Sequence, residues 1–219
     1  MLVRKDYDVI IVARHSPCDR DIFYTSPWAG AHYRPFPDMD PVDRLEADFA
    51  FATYPVFIEL AQTDSSSSVK TFLGIEYFDD PSEDYADLRG RYSQVDGFRV
   101  LERNELPAGV KFGTRYNTWC LNPPVYLARL ERQLVNLGVR IIRRHLTSIP
   151  EVFSIVNDPD IHTVVNCSGI GFSDPDVFPT RGTLGSNSRF NRTGQSVGVI
   201  VLSHANTPTV VGLTSFLAP

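Results

Sequence analysis

The chain has 219 residues, 42% of them hydrophobic, which suffices for one generous domain or two small ones. Lys and Arg number 21 against 26 Asp and Glu, a net charge of −5, with no basic block, so a nucleic-acid binder working through bulk positive charge is excluded. No run approaches the roughly 18 consecutive apolar residues of a membrane span, and Met1–Tyr7 has no apolar core of a signal peptide, so a soluble, acidic, intracellular protein is expected.

Taken in chain order, the first predicted element is Tyr7–Arg14, a continuous apolar run with the length and β-branched content of a buried parallel strand. Ser16, Pro17, Cys18 and Asp19 break it. Thr25–Pro41, rich in proline, aromatics and glycine, reads as an ordered loop. Asp43–Leu60 has helical spacing through Leu45, Phe49, Val56 and Leu60, with Pro55 expected to bend or split it. An apolar run at Thr71–Tyr77 follows, then an acidic surface connection over Asp79–Gln94, then short apolar pieces around a proline turn from Phe98 to Phe112.

Asn122–Gly138 is the clearest helix: Asn122 as cap, Pro123 in the first turn, Gly138 as the stop, and Tyr126, Leu130, Leu134 and Leu137 on one face. Val139–Leu146 reads as a strand. Ser148 and Glu151 have the spacing of a capping box for a short helix ending at Val156. Ile161–Cys167 is a second buried strand, and this helix, strand, helix, strand order predicts an α/β unit with a parallel sheet. From Leu184 onward Gly, Ser, Asn and Thr dominate. Apolar runs at Val197–Leu202 and Thr209–Leu213 are not joined to the sheet by sequence alone.

Three cysteines (Cys18, Cys120, Cys167) and five histidines lie scattered without metal-ligand spacing, so no metal site is expected. Three segments fall at or near strand ends where open α/β sheets hold ligands. Arg14 and His15 close the first strand; Arg14 there meets a ribose or is simply solvated. Thr25 to Pro35 combine small residues at 29 to 31, which bring backbone N–H groups close to a ligand, and the Ser26 hydroxyl with the flat surfaces of Trp28, His32 and Tyr33, or pack as an aromatic loop. Asn166-Cys167-Ser168-Gly169-Ile170-Gly171 makes a tight strand-to-loop turn, read as a ligand cradle or as an ordinary turn. No G-x-G-x-x-G phosphate loop, nucleophile elbow or convincing carboxylate pair is present, and Tyr116, Trp119 and Tyr126 read as core or pocket lining.

Together, Tyr7-Asp-Val-Ile-Ile-Val-Ala-Arg-His15, Thr25-Ser-Pro-Trp-Ala-Gly-Ala-His-Tyr33 and Val164-Val-Asn-Cys-Ser-Gly-Ile-Gly171 resemble the D-amino-acid oxidase family of FAD-dependent oxidoreductases, most closely its fungal members. Pro179-Thr-Arg-Gly182 and the tract Tyr116–Arg144 reinforce the resemblance, which covers residues 1–183 and leaves 184–219 as an unmatched tail. It implies an α/β, Rossmann-like FAD-binding domain with part of an α+β substrate domain, incomplete at both ends. Met1–Lys5 is similar to the last turn of the helix that follows the family's glycine-rich loop, and the strands bearing the family's carboxylate clamp have no counterpart in 184–219.

The resemblance further implies non-covalent FAD and the oxidation of D-amino acids by O2 to 2-oxo acids, ammonia and hydrogen peroxide, the cofactor carrying the redox chemistry. By the family's pattern Arg14 and His15 hold the adenosine end; Ser26, Gly30, Ala31 and His32 lie along the pyrophosphate and flavin; Leu146 offers its backbone to the adenine; and Ser168 and Gly169 sit beside the dinucleotide. The family carries Asn in place of His32 and Trp in place of Tyr33. No nucleic-acid or membrane partner is expected, and a homo-oligomer is compatible with the resemblance. A chain without the glycine loop and the clamp is expected to bind FAD weakly and turn over poorly. An amine oxidase of specialised metabolism, or a non-catalytic interaction protein retaining the middle of the fold, are the competing readings. Family members are often peroxisomal, yet Phe216-Leu-Ala-Pro219 is not a Ser-Lys-Leu address, which leaves cytoplasm or peroxisome as the expected compartment.

Overall fold

The computed structural model of the chain describes residues 7–22, 24–167, 198–203 and 211–212. In chain order its elements are β1 (Asp8–Ala13), α1 (Pro41–Thr63), β2 (Lys70–Phe78), α2 (Glu83–Ala86), β3 (Arg99–Val100), β4 (Phe112–Cys120), α3 (Pro123–Asn136), β5 (Arg140–Arg143), α4 (Glu151–Val156), β6 (Ile161–Asn166), β7 (Gly198–Ser203) and β8 (Val211–Gly212). They divide into two compact units: Gly30–Tyr126 forms one, and the segments on either side of it form the other.

The unit built from the flanking segments is a five-stranded sheet in the order β5-β1-β7-β6-β8. β1 is parallel to β5 and antiparallel to β7, while β6 is antiparallel to β7 and parallel to β8. The sheet is therefore mixed, where the element order alone predicts a parallel one. β5 and β6 do run in the same direction, but they are not neighbours. The run at Val197–Leu202 supplies β7, which inserts antiparallel between β1 and β6. Local patterning cannot reveal a partner that arrives from so far along the chain.

β1 is buried on both faces, as its unbroken apolar run requires. Val12, fully buried, packs with Leu146, Val152, Val156, Ile161 and Val164 on one side, the side covered by α4. Val9, Val139 and Val165 form the other cluster, against Leu134 of α3. Alternate residues of one strand thus feed two cores, the period-2 geometry of a pleated strand. Gly138 ends the helical segment at a φ of +82°, and the Val139 amide donates to the Leu134 carbonyl at 2.9 Å, closing the last turn. At α4 the expected Ser148–Glu151 capping box gives way to a different arrangement. Pro150 is the N-cap residue, and Glu151 accepts from the Thr147 amide and hydroxyl at 2.8 and 3.0 Å.

In the Gly30–Tyr126 unit, β2, β4 and β3 form an antiparallel sheet in that order, with β2 registered against β4 from Lys70↔Cys120 to Phe78↔Phe112. Helix α1 continues through Pro55 rather than splitting. Proline removes the donor to the Phe51 carbonyl, but α1 is fastened on both sides of that position. The Tyr54 hydroxyl donates to the Asn117 carbonyl at 3.1 Å, and the Phe57 ring stacks on Trp119 at 4.3 Å. The buried face of α1 is accordingly Ala47 and Phe57, and the expected face of Leu45, Phe49 and Val56 is exposed.

The expected surface connection over Asp79–Gln94 is anchored from within. Tyr92 is fully buried, and its hydroxyl shares a 2.8 Å hydrogen bond with Thr114 of β4. Just before it, Asp38, 5% exposed, accepts from the Arg91 amide at 2.6 Å and from the Arg91 Nε at 2.7 Å. Gly90 has a φ of +64°, and a Cβ there would collide with the Asp38 carboxylate, so only glycine lets the two segments close together.

Candidate functional site

Because β1 and β5 are parallel neighbours, their carboxyl ends lie at the same edge of the sheet, the edge where open α/β sheets hold ligands. Arg14 and His15 leave β1 there and Arg143 ends β5. With Asp19, Arg20 and Asp21 they line a crevice of about 440 Å3. The turn after β1 is built by Asp19, whose carboxylate accepts from the Ser16 amide at 3.0 Å and from Arg143 Nη2 at 2.6 Å. The Ser16 amide bond, aided by the Arg143 charge against the cost of burial, holds the Asp19 carboxyl below its ordinary value, so the turn carries a fixed negative charge.

His15 is the most informative group in this crevice. Its side chain is only 7% exposed, its ring stacks on Tyr24 at 5.6 Å, and Nδ1 faces Asp19 at 3.6 Å. Its Nε2 is buried and has no hydrogen-bond partner among the described residues. A buried imidazole nitrogen without a partner is costly unless a ligand completes it. The crevice therefore offers guanidinium donors from Arg14, Arg20 and Arg143, carboxylate acceptors from Asp19 and Asp21, and one unmatched imidazole. That donor and acceptor set suits a ligand dense in hydroxyl and phosphate oxygens.

The second concavity belongs to the Gly30–Tyr126 unit. The chain from Ala31 to Tyr33 lies along the end of β4: the Leu121 amide donates to the Ala31 carbonyl, the Tyr33 amide to the Trp119 carbonyl, and the Thr118 hydroxyl to the Tyr33 carbonyl at 2.6 Å. This placement brings His32 and Arg34 beside β2, where with Gly74, Glu76, Tyr116 and Thr118 they line a cavity of about 440 Å3. Arg34 pairs through Nε with Glu76, whose side chain is 10% exposed while that of Arg34 is 53% exposed. Tyr92 donates to Glu76 at 3.3 Å, and Tyr116 also bonds it. Burial raises the Glu76 carboxyl above its ordinary value, with Arg34 and the two tyrosines opposing but not reversing the effect. Burial likewise pushes the Tyr116 and Tyr92 hydroxyls up, so both remain donors at any ordinary pH.

A raised carboxyl pKa means that the folded state binds the Glu76 proton more tightly than the unfolded chain does. Its contribution to stability is fully present below its ordinary value of 4.5 and is lost as pH rises through the folded value. The Glu76→Gln variant, which keeps an acceptor for Arg34, is expected to lose less stability than the parent over that rise. Thermal melts of both proteins across the pH series check it, and parallel curves would refute it.

The residues expected from sequence to bind a cofactor are thus distributed as follows. Arg14 and His15 meet in the crevice of the flanking unit. Ser26 sits in the same unit, in a single 3-10 turn, Ser26–Trp28, which the Ala29 amide closes onto the Ser26 carbonyl. The side chain of Leu146 is core, 1% exposed, so only its backbone remains for a ligand. Gly30, Ala31 and His32 belong to the other unit, with His32 in the Arg34 cavity. Ser168 and Gly169 lie outside the described residues.

Asp19, Arg20 and Arg143 in the crevice and Glu76 in the cavity were not among the expected site residues, and Arg34 stood within the Thr25–Pro35 segment without a role. Signals existed for two of them. Arg143 ends a strand that follows a helix, the position that a parallel crossover brings beside β1. Glu76 is a lone charge within Phe72-Leu-Gly-Ile-Glu-Tyr-Phe78, which places a carboxylate on a strand otherwise apolar.

Residues 1–214 match the family described as FAD dependent oxidoreductase (DAO). Among curated proteins, the chain is 38% identical to a D-aspartate oxidase of Talaromyces thermophilus over 175 residues, 78% of this chain and 47% of that protein. It is 30% identical to a D-amino-acid oxidase of Schizosaccharomyces pombe over 178 residues, 78% of this chain and 49% of that protein. A D-amino-acid oxidase of Rubrobacter xylanophilus is 31% identical over 189 residues, 84% of this chain and 53% of that protein. The chain spans about half the length of the curated relatives it matches.

Proposed function

The chain belongs to the FAD dependent oxidoreductase family, and from that premise we propose that the protein carrying it oxidises D-amino acids with O2, giving a 2-oxo acid, ammonia and hydrogen peroxide. The observation that carries the cofactor half of this reading is the buried, unmatched Nε2 of His15 in a crevice lined by arginines at the carboxyl ends of β1 and β5. The relatives named D-aspartate oxidase and D-amino-acid oxidase support the substrate half.

The residues of the crevice fit the adenosine end of FAD. Arg14 and Arg20 present donors to sugar and phosphate oxygens. Asp19 and Asp21 accept from ribose hydroxyls, and His15 gains the partner that its Nε2 lacks. Arg143 is held against Asp19, so it stiffens the turn while contributing positive charge. The Leu146 backbone and the Ser26 turn complete the candidate contacts within this unit. Bound there, FAD would supply the two-electron redox chemistry that links oxidation of the substrate to reduction of O2. The protein's share is to hold the cofactor and to orient and desolvate the substrate.

The experiment that tests the reading is a peroxide assay on the FAD-supplemented protein with D- and L-amino acids. Peroxide and ammonia in equal amounts from the D series, and neither from the L series, are expected. FAD binding with no peroxide from any D-amino acid would refute the substrate half.

A further inference from the structure

We infer that Glu131 of α3 is a positioning residue for the crevice: by holding the turn that follows His15, it presents Arg14 and His15 to the adenosine end of FAD. The inference rests on the cofactor half of the reading above. The role of Glu131 comes from the hydrogen bonds of the turn.

Ser16 stands between the crevice and the helix. Its amide donates to the Asp19 carboxylate at 3.0 Å, its carbonyl accepts from the Asp19 amide at 2.9 Å, and its hydroxyl donates to Glu131 at 2.9 Å. Every polar group of Ser16 is thus engaged. The first two bonds are local to the turn, whereas the third reaches across 115 positions of sequence to α3. Asp19 is held in turn by Arg143 of β5, so the turn is fastened to a strand and to a helix. Without Glu131, the turn keeps its own two bonds and the one to Arg143, whose side chain is exposed.

The helix is a firm point of attachment. Leu134, three residues on from Glu131 and so on the same side of α3, packs against the cluster of Val9, Val139 and Val165. Glu131 also lies near the ring that supports His15. Burial first, then the charges of Glu131 and Asp19, hold the Tyr24 hydroxyl above its ordinary value, and that ring stacks on His15. Glu131 therefore stands beside both supports of His15, the turn and the Tyr24 ring. A crevice whose groups are set before the ligand arrives loses less freedom on binding than one that must order itself.

The charge of Glu131 works against this geometry. FAD is anionic at its pyrophosphate, so a carboxylate close to the crevice repels it. Coulomb repulsion alone predicts that removing Glu131 tightens FAD binding, whereas the positioning role predicts that binding weakens. The two effects have opposite signs.

Quenching of flavin fluorescence during FAD titration of the chain tests the inference. Glu131→Ala is expected to bind FAD about tenfold more weakly than the parent, the worth of one hydrogen bond to a charged group. Glu131→Gln loses the charge but keeps an acceptor for the Ser16 hydroxyl, so its affinity should stay within about threefold of the parent's. Ser16→Ala should match Glu131→Ala, and the double variant should be no weaker than either, because both changes remove the same bond. Circular dichroism establishes that each variant is folded, and Ser16→Ala carries the test if Glu131→Ala is not. A folded Glu131→Ala variant that binds FAD as tightly as the parent or more tightly would overturn the inference. So would a Glu131→Gln variant as weak as Glu131→Ala, a Ser16→Ala variant with the affinity of the parent, or losses that add in the double variant. Arg14→Ala separates this inference from the cofactor reading. Weaker binding in Arg14→Ala but not in Glu131→Ala defeats the positioning role alone. A parent that binds no FAD, or one whose binding neither change weakens, defeats the cofactor reading and the positioning role with it.

Discussion

Replacing Asp38 by alanine is expected to lower stability by about 3 kcal/mol, near the lower end of what breaking a buried ion pair costs. The lower end applies because Arg91 is 28% exposed and keeps a second partner, Asp48, at 2.5 Å. What the variant leaves behind is a guanidinium and a backbone amide whose acceptor is gone. Asp38 joins two stretches distant in sequence, the loop before α1 and the turn before Tyr92, so the loss should spread to the Tyr92–Thr114 contact. Urea unfolding measures it. A change below about 0.5 kcal/mol, the range of an ordinary surface substitution, would show that the pair does not organise this unit.

The same group gives a pH signature of known sign. Burial acts to raise the Asp38 carboxyl, but the amide and guanidinium of Arg91 outweigh it and hold the group below its ordinary value of 3.8. Its contribution is therefore present above that value and is lost as pH falls through the folded one. An Asp38→Asn variant should accordingly be insensitive to acid in the interval where the parent weakens. Glu76 moves oppositely, because its burial is the larger influence.

The other large effect concerns the crevice. Arg14→Ala and His15→Ala are each expected to weaken FAD binding about tenfold, and together about a hundredfold, if each supplies one charge-assisted or otherwise unmatched hydrogen bond. Arg132→Ala, on an exposed position of α3, should leave the affinity unchanged. Quenching of flavin fluorescence during titration reads all four proteins. Loss of affinity shared equally by Arg132→Ala would mean that bulk charge, not the crevice, holds the cofactor.

Much of this fold was legible from short-range pattern. β1 announced itself as an apolar run and is buried on both faces, and α3 was bounded correctly by Pro123 and Gly138 because each acts through its own backbone. Elements whose placement depends on distant partners were harder. β7 is an ordinary apolar hexamer, and nothing within Gly198–Ser203 says that it slots between β1 and β6. The buried face of α1 was misassigned for a related reason. Leu45, Phe49 and Val56 have helical spacing, but the aromatic side of the helix, Tyr54 and Phe57, is the one that meets β4.

The candidate sites divide in the same way. Arg14 and His15 could be named because they end a recognisable strand. Asp19 and Arg143, which fix the crevice, become visible only when the two parallel strands are side by side. Arg34 and Glu76 are 42 residues apart in sequence, and only the fold makes them one group.

The most direct test of the central claim is anaerobic mixing of the FAD-loaded protein with the two enantiomers of aspartate. The account predicts that the visible flavin absorption bleaches with D-aspartate and not with L-aspartate. Admitting O2 should then restore the absorption, with release of one hydrogen peroxide per flavin. Stoichiometrically bound flavin that keeps its oxidised spectrum in the presence of D-aspartate and of other D-amino acids would contradict it.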